Sequence, residues 1–273
     1  LNYVNTSANT RNYATHFKTD LNFSNLSTLN SWNTQQLSSW SAANTSISHM
    51  APDGSGGVYL GVFFTQGNTW DLRGFGVIKV NSSGSYQWKR FLNGLSNSSL
   101  RARSLDAFNA NTSTGYWAMG GYADGSGQSF NDAGVIGLFN SSGTEQWVKY
   151  ISNGNYWLTK GAYVDGSQNV YLCGDNAVQY EGRNVVVTKL NSSGVHQWTR
   201  RLNLDSNHNY AHNITAHGED IYVAVKWTEN NPNTYYPDYK SGILKLDTSG
   251  NFGYYREITN STSDDNVVFS NYS

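Results

Sequence analysis

Asn191-Ser192-Ser193-Gly194-Val195-His196-Gln197-Trp198 decides how this chain is read, because it is not alone. Asn81-Ser-Ser-Gly84 leads to Gln87-Trp88, and Asn140-Ser-Ser-Gly143 leads to Gln146-Trp147. A decayed copy, Asp247-Thr-Ser-Gly250, leads to Gly253-Tyr254. The even spacing of Asn81, Asn140, Asn191 and Asp247 is a period that belongs to repeat architectures. A short apolar run precedes each: Val77-Ile78-Lys79, Val187-Thr188-Lys189 and Ile243-Leu244-Lys245, with Leu138 in place of Lys in the remaining copy. Such β-branched runs fit strands, and Asn or Asp followed by Ser-Gly fits a tight hairpin turn whose glycine takes positive φ.

A second hairpin lies upstream in each unit. Asp53-Gly54 precedes Val58-Tyr59, Asp165-Gly166 precedes Val170-Tyr171, and Asp220 precedes Ile221-Tyr222; Asp106 before Tyr116-Trp117 is read as the same turn, lengthened. The hairpin aromatic precedes the repeat Trp or Tyr by a nearly constant interval: Tyr59 to Trp88, Trp117 to Trp147, Tyr171 to Trp198 and Tyr222 to Tyr254. Each unit therefore holds four short strands, and four-stranded sheets at this period read as propeller blades. The ends extend the pattern. Tyr3 precedes Trp32 by the interval that separates Tyr59 from Trp88, so the segment 1–40 reads as strands 2 to 4. Val267 follows Tyr254 as Arg101 follows Trp88 and Lys160 follows Trp147, which is where a strand 1 is due. The expected fold is all-β: one β-propeller of five four-stranded blades, closed by a C-terminal strand 1 joining N-terminal strands 2–4, which removes the exposed sheet edges. The expected blades are 1–40 with 264–273, then 46–93, 101–152, 160–203 and 210–258.

The pattern Asp-Gly, Asn-Val-Tyr, Lys-Leu-Asn-x-x-Gly-x-x-x-Trp over Asp165 to Trp198 resembles the bacterial SBBP-type β-propeller repeat family. The resemblance covers nearly the whole chain. It implies a propeller fold in an exported or surface-associated protein whose blades scaffold binding, and it implies no catalytic residues. The family name refers to seven blades, and the spacing here gives five.

Composition narrows the function classes. Only 14% of the 273 residues are charged, against roughly 25% in ordinary soluble domains, and 18 basic side chains balance 19 acidic ones. A nucleic-acid footprint would need a basic patch, so nucleic acid is not an expected partner. No apolar run is long enough for membrane insertion, and no basic segment with an apolar stretch opens the sequence, so no signal peptide is expected within it. Leu1 in place of Met reads as a processed or incomplete chain. Nine Trp and 19 Tyr argue against disorder. Cys173 stands alone, which excludes an intrachain disulfide and a cysteine zinc cluster; it reads as a small buried hydrophobe. The frequent Asn-x-Ser/Thr triplets are what a chain so rich in these residues generates.

In a propeller, loops 2–3 and 4–1 share one face. Here that face carries the irregular, aromatic-bearing segments, where binding usually sits on a rigid scaffold. The candidate ligand-binding residues are Trp40, Trp70, Phe130, Trp157, Tyr180, Trp227, Tyr235, Tyr236 and Tyr239. Aromatics beside Asn, Asp and Gly suit sugars or protein neighbours. The strand 4 tryptophans Trp32, Trp88, Trp147 and Trp198 are expected between blades, and Lys18, Lys79, Lys189 and Lys245 are expected to pair or lie along a blade face. Among the acids, Asp71, Asp124, Asp132, Asp175 and Asp238 fall on the loop-rich face without forming a pair. His208, His212 and His217 are too loosely spaced for a metal, and no Gly-x-Ser-x-Gly elbow occurs. No cofactor, metal or catalytic residue is expected. The reading is a non-enzymatic interaction or structural module of an extracellular assembly, on a cell surface or virion, such as a phage tail or an adhesive appendage. Its partners would be protein neighbours in that assembly or surface glycans. The alternatives are a lectin with several quasi-equivalent sites and a carbohydrate-active enzyme.

Overall fold

The computed structural model describes residues 3–5, 13–18, 27–33, 43–66, 73–91, 100–125, 133–151, 156–178, 182–204, 208–229 and 238–258. Four antiparallel four-stranded sheets follow one another along the chain. The first contains β4 (Ala43–Pro52), β5 (Val58–Gln66), β6 (Arg73–Val80) and β7 (Tyr86–Phe91). The second contains β8 (Leu100–Ala110), β9 (Trp117–Gly125), β10 (Ala133–Phe139) and β11 (Glu145–Ile151). The third contains β12 (Tyr156–Val164), β13 (Val170–Val178), β14 (Gly182–Leu190) and β15 (His196–Leu202). The fourth contains β16 (Asn209–His217), β17 (Asp220–Glu229), β18 (Asp238–Asp247) and β19 (Phe252–Glu257). Each is a meander in sequence order. Upstream, β1 (Tyr3–Asn5), β2 (Tyr13–Lys18) and β3 (Ser27–Asn33) form a sheet of three. The described residues thus give four sheets of four and one of three, not five of four; the strand expected within 264–273 lies outside them.

The sheets stack in a propeller-like way. First strands are neighbours, β4 beside β8, β8 beside β12 and β12 beside β16. One apolar core fills each gap: Tyr59, Phe75 and Val77 against Phe108, Trp117 and Met119; Ile136, Leu138 and Trp147 against Ala162, Val164 and Leu172; Tyr171, Cys173, Val185 and Val187 against Ile214, Val223, Trp227 and Leu244. The middle strands are covered on both faces, so Val185-Val186-Val187 are all buried and the run does not alternate. The last strand is peripheral, and β19 is exposed throughout. Cys173 lies 2% exposed in the third of these cores, and its burial pushes the thiol pKa up.

The repeat motif is explained by one device. In each turn the side-chain oxygen of the first residue accepts two backbone N–H groups: Asn81 from Ser83 and Ser85, Asn140 from Ser142 and Thr144, Asn191 from Ser193 and Val195, Asp247 from Ser249 and Asn251. Either Asn or Asp serves, because only the oxygen is used. The fourth residue must be glycine for two reasons. Its φ is positive, 77° at Gly143, 72° at Gly194 and 81° at Gly250. The preceding sheet's tryptophan also lies against it, so an added Cβ would fall within 2.9 Å of the rings of Trp88, Trp147 and Trp198 respectively. Trp147 Nε1 donates to Ser192 O at 2.9 Å, and Trp198 Nε1 donates to Thr248 O at 3.2 Å. Turn and tryptophan recur together because each sheet's Trp clasps the next sheet's turn. The repeated lysines finish these edges. Lys79 pairs with Asp53, Lys245 pairs with Asp220 at 2.7 Å, and Lys189 donates to Thr248 O at 3.2 Å. Leu138, which replaces the fourth, is fully buried.

Candidate functional site

Each first strand carries a β-bulge, and the bulges fall at matching places. The register skips Ser48 in β4, Asp106 in β8, Lys160 in β12 and His212 in β16. A bulge adds one unpaired residue and re-aims a side chain. Because first strands are neighbours, these four residues lie along the innermost line of the stack. Lys160 Nζ reaches Asp106 Oδ2 at 3.2 Å, across the boundary between two sheets. Gly161 permits the next approach: a Cβ there would lie 2.9 Å from Asn213 Cα, just past the bulge of β16.

A second ion pair lies nearer the start of β12. Arg183 Nη1 donates to Asp175 Oδ2 at 2.9 Å, with the Asp175 side chain only 1% exposed and Arg183 about one third exposed. Burial raises the Asp175 pKa to about 6; Arg183 and Lys160 oppose that rise and Asp106 adds to it. The Arg183 guanidinium also sits 5.4 Å from the Tyr210 ring centroid, and the Arg183 backbone makes an isolated parallel bridge to His208, just before β16. Burial lowers the pKa of His49, opposed by Asp106. It lowers that of His212 as well, assisted by Lys226 and then Lys160. The buried Oγ1 of Thr159, Nδ1 of His49 and Nε2 of His212 find no hydrogen-bond partner among the described residues. The result is a cluster of mixed charge in which two carboxyl groups sit in different environments. Asp106 is partly open and ion-paired, and Asp175 is enclosed and inclined to keep its proton.

This corrects two expectations. Asp106 does not start a hairpin turn; it lies inside β8, and Asn111 does the turn's work by accepting from Ser113 N and Thr114 N. Asp175 is not isolated on a loop: it lies in β13, paired with Arg183 and within the electrostatic reach of Lys160 and Asp106. Composition and motif spacing give neither Asp106 nor Lys160 a functional role, yet the sequence carries a signal for them. One and the same interval separates Ser48 from Tyr59, Asp106 from Trp117 and Lys160 from Tyr171, and His212 stands a single position closer to Tyr222.

The expected aromatic candidates fare unevenly. Trp227 lies in β17, not in a loop; it is 2% exposed, packs edge-on to Tyr255, and presents no ring face to solvent. Tyr239 opens β18, is 45% exposed, and has Lys226 Nζ 4.0 Å from its ring centroid. Trp157 lies on β12 with its backbone in register with Asn176. Trp40, Trp70, Phe130, Tyr180, Tyr235 and Tyr236 lie outside the described residues.

A solved structure shares this fold. Levansucrase from Bacillus subtilis, a propeller-like protein, superposes with a TM-score of 0.51 at 9% identity, over 79% of this chain and 71% of that one. The extracellular region of plexin A4 gives a TM-score of 0.48 at 9% identity, over 76% of this chain and 26% of that one. A thermostable family-43 glycoside hydrolase gives 0.45 at 12%, over 80% and 73%. No protein-family model and no curated protein matches the chain.

Proposed function

We propose that this chain is a carbohydrate-active protein that cleaves or transfers a glycosyl group at the bulge-lined cluster. The observation that carries the reading is the ion pair of Lys160 on β12 with Asp106 on β8, both on first strands, with the enclosed Asp175 of β13 within the electrostatic reach of both. Glycosyl chemistry generally needs one carboxyl group that holds a proton and one that is ionised, in environments that separate their pKa values. Asp106, partly exposed and paired with Lys160, is the carboxylate within a substrate's reach. Asp175, behind Arg183, sets the local charge. Levansucrase, which shares the fold, is by its name an enzyme of carbohydrates. The reading therefore moves away from the non-enzymatic assembly module, and surface glycans become the favoured partner. The test is release of reducing sugar from a panel of neutral and acidic oligosaccharides. Asp106→Asn is expected to lower turnover of the best substrate about 100-fold or more. Sugar binding without turnover on any of the panel would return the chain to the lectins, and neither binding nor turnover would overturn the reading.

We also propose that the sheet of β1 to β3 completes a fifth blade with a strand from residues 264–273. On the side of the first sheet turned away from β8 to β11, Leu60, Val62, Ile78 and Val80 are at most 5% exposed. Among the described hydrophobic side chains outside this cluster, Ile47 and Val58 pack against it, too little to cover the face alone. Truncation after Ile258 is expected to lower the melting temperature by several degrees. An unchanged melt would exclude this closure.

A further inference from the structure

We propose that the face of the fourth sheet turned away from the third is an interaction surface, and that its occupant is the β1–β3 sheet of the same chain, seated on Tyr254 and Arg256. This rests on the fifth-blade reading above and names the second surface to which that blade attaches.

The seams between the described sheets set the rule. In each, the tryptophan of a last strand and the cation two residues on grip the next sheet's turn. A Cβ added at Gly143 would lie 2.7 Å from Arg90 Cγ and 2.9 Å from Trp88 Cη2. One added at Gly194 would lie 2.8 Å from both Lys149 Cε and Trp147 Cδ2. At the third seam Arg200 Nε donates to Gly250 O at 2.6 Å, and Trp198 lies against the same glycine. The fourth sheet repeats the device on β19. Tyr254 stands in register with Lys245 as Trp198 does with Lys189, and the Arg256 guanidinium sits 5.4 Å from the Tyr254 ring centroid. No described sheet follows this one along the chain. Tyr254 is accordingly 38% exposed where Trp147 is 8%, and Phe252, two residues earlier, is 55% exposed. Aromatic surface left open on an edge strand marks a place of contact.

The glycines say what sits there. Tryptophan and glycine occur together at the described seams because the indole leaves no room for a Cβ. Tyrosine carries one ring where tryptophan carries two fused rings, so a connection that meets Tyr254 is free of that demand. The segment 1–40 contains no glycine, so the connection between β2 (ending at Lys18) and β3 (starting at Ser27) suits Tyr254 and not a tryptophan. The other side of the same unit obeys the rule from the opposite direction. Asn81-Ser-Ser-Gly84 has its glycine, at a φ of 79°, and so calls for a tryptophan. Strand β3 supplies Trp32, in register with Ala14 as Trp88 is with Lys79. With β1–β3 between the fourth sheet and the first, every tryptophan meets a glycine turn, and the lone tyrosine meets the glycine-free connection. A second copy laid on the fourth sheet through its own first sheet would set Tyr254 against Gly84 and leave Trp32 without a turn.

Tyr254→Trp tests this in the full chain, because it restores the residue found at the other seams. Against a glycine-free connection the wider indole is expected to lower the melting temperature by several degrees, while Tyr254→Phe stays close to the parent. On an open surface Tyr254→Trp would change little, and a melt equal to or above the parent's overturns the inference. Cross-linking gives a second readout that does not depend on any variant. Light and heavy isotope-labelled copies of the full chain are mixed and treated with a short lysine-reactive reagent. Lys18 on β2 is expected to join Lys240 or Lys245 on β18 within single copies. Links from Lys18 to Lys79 or Lys89 alone leave the fifth blade on the first sheet and overturn its seat on the fourth. Links to β18 found only between light and heavy copies overturn the inference and give the surface to a second copy. No link from Lys18 to either sheet overturns both this inference and the fifth-blade reading.

Discussion

Trp117→Ala is expected to destabilise the chain by about 3–5 kcal/mol, the range for truncating a large buried aromatic. Trp117 is fully buried and lies at the junction of the first two sheets. It stacks on Phe139 with centroids 4.2 Å apart and planes 6° apart, and Tyr59, Phe108 and Trp88 surround it at 5.7, 6.1 and 6.2 Å. Its Nε1 donates to Asn140 O at 2.9 Å, which ties the ring to the first residue of a repeat turn. Alanine therefore opens a cavity between two sheets, removes a stacked pair and takes a donor from the turn. Trp117→Phe keeps most of the ring volume and should cost clearly less. Gln87→Ala, at an exposed position on β7, should stay within about 0.5 kcal/mol of the parent. Urea unfolding of the three variants is the measurement. A loss below about 1 kcal/mol for Trp117→Ala would mean that the rings around it close the cavity, and that the junction is softer than its packing implies.

The repeat made the sheets and their turns readable, because each motif residue has a local or next-unit job. Asn191 accepts from its own turn, Gly194 takes positive φ, and Trp147 reaches the turn one unit on. The strand ends were harder. Read from sequence, Trp227 falls in a loop, because the segment from Lys226 to Lys240 is polar and aromatic. In the structure β17 runs on to Glu229, which turns Trp227 onto the core face with Val225 and Val223. The cluster was least legible of all. Its members come from β4, β8, β12, β13, β14, β16 and β17, and no short motif joins them. A bulge also breaks the two-residue alternation at the positions that matter, so a strand's pattern read straight through assigns Asp106, Lys160 and His212 to the wrong side. Only the phase of the repeat, counted back from the hairpin aromatics, marks them. The same limit applies to the acids: counted along the chain they are scattered, and Asp106 and Asp175 come into one electrostatic neighbourhood only when two sheets are set together.

The Asp175 carboxyl should give the folded chain a pH dependence of its own. Its folded pKa is about 6, raised by burial, against a reference value of 3.8. A group whose folded pKa is raised adds stability that is fully present below the unfolded pKa and is lost as pH rises through the folded one. Stability should therefore fall by about 3 kcal/mol between pH 4 and pH 7 on account of this group, two pKa units at roughly 1.4 kcal/mol each. Asp53 works in a separate window. Burial tends to raise its pKa, but the bonds from Lys79 and Ser55 outweigh this and bring it to about 2, so its contribution changes only below pH 4. His49 and His212 run the opposite way to Asp175, since burial lowers their pKa values and stability is lost as pH falls below their unfolded range. Their slope overlaps that of Asp175, so the informative quantity is the difference in unfolding free energy between the parent and Asp175→Asn at each pH. Asparagine cannot ionise, so the variant should gain on the parent steadily from pH 4 to pH 7, whatever the histidines contribute to both. It also leaves Arg183, about one third exposed, to solvent in place of a carboxylate. At pH 4 the parent's Asp175 is protonated too, so neither form offers Arg183 a carboxylate there, and the pairing that appears on ionisation is already contained in the folded pKa of about 6. A difference flat across this range would mean that the Arg183 pair outweighs burial and that Asp175 is ionised throughout. Asp175 and Asp106 would then both be anions around Lys160, and the division of roles between the two carboxyl groups would have to be abandoned.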